Sequence, residues 1–214
     1  MSERLNQNNR AIEKLIPDNV YKANFTRCGL IVPETREIAR LLLEDATPQA
    51  WDQAIRVENR LQARSPATAS SYSKEAKSRL STMGPELWTL AATGNLKLAT
   101  QACLAATVKH SQLFGDFMKE VILDELKRKT PVLPAYKWSQ FMDLKQAHHP
   151  NLASISASTQ AKLRQNAYRM LAEAGYLNNT REKALQPVFL EPELVDYLTR
   201  QHEYSVLECL RAKP

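Results

Sequence analysis

Apolar residues recur along this chain at three- and four-residue intervals, which predicts a succession of amphipathic helices rather than strands. After Pro33 the stripe Ile38, Leu41, Leu42 marks one helix. Thr47-Pro48 is an N-cap followed by proline in the first turn, and opens a helix carrying Trp51, Ile55 and Leu61 to about Arg64. Ser65-Pro66 repeats that start signal, and Ala69, Tyr72, Ala76, Leu80 and Met83 face inward. Two helices joined by so short a turn predict a helix–turn–helix corner. Gly84-Pro85 starts a short helix closed by Gly94, and Asn95 caps an alanine-rich helix to about His110. Leu113 to Lys129 is helical, with Phe114, Phe117, Val121, Ile122 and Leu126 inward. Trp138, Phe141, Met142 and Leu144 form a helix ending near His148-His149-Pro150, and Glu191-Pro192 starts a last one with Leu194, Leu198, Val206 and Leu210 apolar. Residues 1–19 read as a lead-in with a small amphipathic piece around Ile12, Leu15 and Ile16.

The stretch Ser156 to Leu190 stands apart. Ser156 is an N-cap and Gly175 a C′ residue, with Leu163, Ala167, Met170, Leu171 and Ala174 repeating between them. The opposite side is polar and cationic: Ser158, Lys162, Gln165 and Arg169. Tyr176-Leu177, the turn-prone Asn178-Asn179, basic Arg181 and Lys183, then Leu185 to Leu190 predict two short strands. A polar helix followed by a basic hairpin is the pattern of a winged helix. The expected fold is therefore mainly α: a helical bundle with a helix–turn–helix corner in residues 1–130 and, after a linker at Pro131 and Pro134, a winged-helix-like region with a small β-hairpin in residues 131–214.

Charge sharpens this picture by its location. The 214-residue chain carries a net +6. Residues 56–81 hold six basic and two acidic side chains, and residues 154–190 hold five and two. Those segments contribute +4 and +3, so the remainder is −1. Focused positive charge suits a polyanion partner. In the first segment Ser70, Lys74, Lys77 and Ser81 face outward, a set that can approach phosphates but lacks the usual base readers. Within the second, Gln165, Asn166 and Arg169 are candidate base readers, while Lys162, Arg164, Arg181 and Lys183 are candidate phosphate contacts, with Ser158 at the head of the stripe. Lys127, Arg128 and Lys129 end a helix, where they complement its dipole.

Other chemistry is not signalled. The five glycines never cluster into a phosphate-binding loop. His148 and His149 are adjacent, hence splayed on a helix, and have no partner at zinc spacing. No metal, cofactor or catalytic constellation is expected. Cys28, Cys103 and Cys209 are scattered and odd in number, as in reduced thiols of a cytoplasmic protein. Leu98 to Val108, the uncharged mid-chain stretch, is too short to span a bilayer and reads as a buried helix. Met1 to Arg10 is polar and lacks a secretory pattern.

The chain resembles the BrxA family, small α-helical components of bacterial BREX phage-exclusion systems. The resemblance runs over nearly the full length. It is carried by Gly29-Leu30 with Glu34-Thr35-Arg36, Asn59 to Leu61 with Ser65 to Ala69, Arg79-Leu80, Leu104-Ala105-Ala106 to Phe117, Trp138 and Phe141, and Met170 to Leu177. It implies a non-enzymatic protein that binds double-stranded DNA and is encoded beside a methyltransferase, an ATPase and a phosphatase-like protein, and these are the expected partners. An alternative is a protein-interaction adaptor, for which the acidic stripe Asp116, Glu120, Asp124 is the candidate docking face.

Overall fold

The computed structural model describes residues 21–211. The amphipathic piece expected around Ile12 to Ile16 lies outside them. Among the described residues the fold is mainly helical. The helices are α1 Val32–Leu43; α2 Pro48–Asp52, widening into a π-helical turn Gln53–Val57; α3 Pro66–Leu80; α4 Pro85–Thr93; α5 Leu96–His110; α6 Gln112–Phe117; α7 Leu123–Lys127, with a π-helical turn Met118–Ile122 between α6 and α7; α8 Lys137–His148; α9 Pro150–Ala153; α10 Ala157–Glu173; α11 Pro192–Arg200; and α12 Tyr204–Leu210.

Local chemistry accounts for most of these starts. Thr47, Ser65, Asn95 and Ser156 each accept a backbone N–H from the residue three positions on. A side-chain oxygen there satisfies an otherwise orphaned donor of the first turn. Gly175 ends α10 at φ +82°, a conformation a side chain would strain.

α5 is the hub. It is buried around its whole circumference from Gln101 to Val108, as a central helix must be, and packs on α1, α3, α4, α6, α11 and α12. The buried helix expected over Leu98 to Val108 is this one. One continuous hydrophobic cluster runs from Tyr21 and Phe25 through α5 to Leu194, Leu198 and Leu210, crossing the Pro131–Pro134 region. No described helix is long and apolar enough to cross a membrane.

Three features differ from the sequence reading. The helix expected to run to Arg64 stops at Val57, so α2 and α3 are joined by residues 58–65 rather than by a minimal turn. Asn59 and Gln62 take left-handed backbone conformations there, and the Asn59 side chain bonds both the N–H and the C=O of Ala63. These bonds give the backbone an alternative to another helical turn. The last helix is two, broken where His202 adopts φ 56°. The hairpin and the winged helix built on it are absent, since no strand forms among the described residues. Leu177 faces Leu185 and Val132 faces Ala184 through isolated antiparallel bridges only. Asn side chains explain this. Asn179 Oδ1 accepts from the amides of Arg181 and Glu182, and Asn178 Oδ1 from that of Ala184. These contacts fold residues 178–184 into a side-chain-pinned loop instead of a ladder.

Candidate nucleic-acid interface

An irregular strap, residues 21–31, positions the two basic helices. On one side Arg79 of α3 donates to the Gly29 carbonyl (2.7 Å) and to Glu75 (3.1 Å), with Cys28 Sγ at 3.7 Å. On the other side α10 grips the same strap. Glu173 accepts the Leu30 amide at 2.6 Å and Asn166 donates to the Phe25 carbonyl at 2.9 Å. Gly29 lets the strap pass close to α10 here, because a Cβ would stand 2.5 Å from the Glu173 carboxylate and displace it from the Leu30 amide. The inward face of α10 is buried through Leu163, Ala167, Met170 and Leu171, with Tyr168 packed edge-on to Trp138.

This geometry sorts the candidate residues. Ser158, Lys162, Arg164 and Gln165 are exposed on the N-terminal half of α10, and Arg181 is exposed on the loop beyond its C-terminus. Lys183 is half-buried in that loop at φ 57°, and its carbonyl accepts the Leu133 amide. Arg169 is exposed but paired to Glu173 at 2.8 Å, which fixes its guanidinium along the helix. Asn166 spends its amide on Phe25. Twelve residues separate Lys162 from Ala174, an axial span of about 18 Å. The exposed polar half of α10 and the loop cations thus lie at opposite ends of one helix.

On α3, Lys74 and Lys77 are exposed and Ser70 is half-buried. Lys77 lies over the Trp51 indole, 4.2 Å from the ring centroid, and the Trp51 Nε1 donates to Ser73. Arg79, counted in the basic segment by sequence, is 2% exposed and belongs to the core. Arg56 pairs with Asp52 and Arg60 with Glu58. Of the six cations in residues 56–81, Arg64, Lys74 and Lys77 are the ones without an ion pair among the described residues.

The acidic stripe is ion-paired within the fold. Lys145 of α8 bridges Asp116 (2.6 Å) and Glu120 (2.7 Å), and Asp116 also accepts the Tyr21 hydroxyl. Asp124 pairs with Arg128. Glu125 is buried, and the Lys137 ammonium with the Thr130 hydroxyl holds its carboxyl below the usual range. Tertiary packing brought Lys145 and Lys137 to their carboxylates, whereas Arg128 lies one helical turn from Asp124. His148 bonds the Leu144 carbonyl and His149 stacks on Tyr21. The described residues contain no cluster suited to a metal ion. The three cysteines are unpaired and buried, and burial pushes the Cys103 thiol up to about 12 and Cys209 to about 11.

Fold and surface together define a small helical protein with exposed cations on α3, on α10 and on the loop beyond it that have no ion pair among the described residues. A family model for BrxA matches residues 19–202. BREX protein BrxA of Paramagnetospirillum magneticum is 40% identical over 191 residues, covering 89% of this chain and 96% of that protein. BREX protein BrxA of Escherichia coli is 34% identical over 207 residues, 97% of each chain. A crystal structure of an uncharacterized protein from Magnetospirillum magneticum superposes with a TM-score of 0.82 at 37% identity, covering 91% of this chain and all of that one. The chain belongs to the BrxA family.

Proposed function

We propose that this protein is a non-enzymatic, double-stranded DNA-binding component of a BREX anti-phage defence system, acting beside other BREX proteins. The observation that carries the DNA reading is the state of charge on residues 154–190. Both acids of that segment are engaged, Glu173 by Arg169 and the Leu30 amide, and Glu182 by the Asn178 amide. Lys162, Arg164, Arg181 and Lys183 have no ion pair among the described residues. Ser158 and Gln165 lie exposed between or beside them. In this reading the N-terminal half of α10 meets the groove, and Gln165 reads base edges. Arg181 and Lys183 hold phosphates about half a duplex turn away. Lys74 on α3 supplies a further backbone contact.

Affinity measured against salt tests it. Four or five phosphate contacts give a log–log slope of about −4. The quadruple variant Lys162→Ala, Arg164→Ala, Arg181→Ala, Lys183→Ala should lose binding while keeping its helical circular dichroism. A flat salt profile, or normal binding by that variant, rejects the assignment.

A further inference from the structure

Gln101 is the feature that neither sequence reasoning nor the DNA surface uses. It lies on the hub helix α5 and is 2% exposed. Both ends of its amide are spent on one target. Nε2 donates to the Phe189 carbonyl at 3.0 Å and Oε1 accepts the Glu191 amide at 2.8 Å. The clamp holds up an arch, residues 186–190, whose Val188 and Leu190 side chains pack on the core while its main chain is little bonded. Gln186 N–H bonds the Tyr176 carbonyl, but the Val188 N–H and C=O and the Leu190 N–H find no partner among the described residues. Phe189 at the crest is 78% exposed. A hydrophobic side chain presented so openly by a buried clamp is not explained by packing.

Beside the arch runs a groove of about 1250 Å³, larger than an ordinary small-molecule pocket. Leu123, Tyr176 and Leu210 form its floor, and Val188 and Val195 line its walls. Its rim carries Lys127, Lys129 and Arg211, exposed and without ion pairs among the described residues, against the single acid Asp196. We propose that this groove docks an acidic, apolar peptide segment of another protein, laid along the arch. The segment's apolar side chains fill the groove and its carboxylates meet the three rim cations. Its main chain takes up the open hydrogen-bonding groups of Val188 and Leu190, as in strand addition to an unpaired edge. Duplex DNA fits this site poorly, because it has no side chain to fill an apolar floor. The proposal is independent of the DNA reading, and either can fail alone.

The test uses the full chain and a fluorescein-labelled peptide of alternating leucine and glutamate, followed by fluorescence anisotropy. Micromolar binding is expected, weakened about tenfold or more by Phe189→Glu and by Lys127→Glu/Lys129→Glu. Gln101→Leu, a positioning change, should weaken it too while circular dichroism stays unchanged. The same peptide with lysine in place of glutamate should bind far more weakly. The proposal is overturned by any of four results: no binding at millimolar peptide, equal binding of the lysine peptide, an unaltered Phe189→Glu, or loss of duplex DNA affinity in that variant. A fall in molar mass by light scattering on Phe189→Glu would assign the groove to a second copy of this chain, and overturn it likewise.

Discussion

Replacing Arg79 with methionine should destabilise the protein severely. The guanidinium is buried, ion-paired to Glu75, and caps the Gly29 carbonyl. Removing one member of a buried pair costs about 3–5 kcal/mol, because the other charge is left behind. Glu75 retains 11% side-chain exposure, which places its share at the low end. The Gly29 carbonyl, left without a donor, adds about 1 kcal/mol or more. A loss near 4 kcal/mol is a large part of the roughly 5–15 kcal/mol that holds an ordinary domain together. Equilibrium unfolding in urea, read by circular dichroism, measures it as a drop in midpoint with little change in slope. Glu75→Met added to Arg79→Met should recover part of the loss, since the stranded carboxylate is removed. A loss below about 1 kcal/mol, or a double variant worse than the single by the full cost of Glu75→Met alone, refutes the clasp. Arg79 is buried and takes no part in the proposed duplex contacts, so on that proposal the folded fraction of Arg79→Met should bind DNA with wild-type affinity.

Two further outcomes follow from local geometry. Gly175→Ala keeps ordinary space around the new Cβ, whose nearest neighbour is Val188 at 3.9 Å, so the cost is the left-handed backbone alone, about 1–2 kcal/mol by urea unfolding. An alanine variant as stable as the parent would show that the α10 C-terminus relaxes. Burial, reinforced by Arg79 and Lys22 and opposed by Glu75, holds the His110 imidazole below its ordinary 6.5. The unfolded chain then binds the proton more readily, so stability present above about pH 6.5 is lost as pH falls through the folded value. His110→Gln should flatten stability against pH across that window, and an unchanged slope would reject the assignment.

The helices were legible because their signals are local. Caps at Thr47, Ser65, Asn95 and Ser156, the Gly175 stop and the apolar stripes involve residues within a turn or two of one another. The loop after α10 shows where that reasoning ends. Alternating apolar and turn residues suit a hairpin, but Asn178 and Asn179 bond the backbone themselves, and competition of that kind leaves no periodic trace. Family membership was legible too, since it rests on the order of short segments along the whole chain.

Which charges are available for a partner was settled only by tertiary structure. Sequence counts Arg79 with Lys74, and Asp116 with Asp124, as equals. Folding carries the strap past α3 and α10 and consumes Arg79, Asn166 and Glu173 in holding it. Docking of α8 closes Lys145 over Asp116 and Glu120. The sequence by itself determined where the helices start and that two segments are basic, because propensity and composition act over a few residues. The structure decided which of those cations still face water and that Gln101 holds Phe189 into solvent. Arg79 reaches the Gly29 carbonyl, Lys145 reaches Asp116 and Glu120, and Gln101 reaches the Phe189 carbonyl, each across 25 positions or more, and those pairings depend on the fold that brings them together.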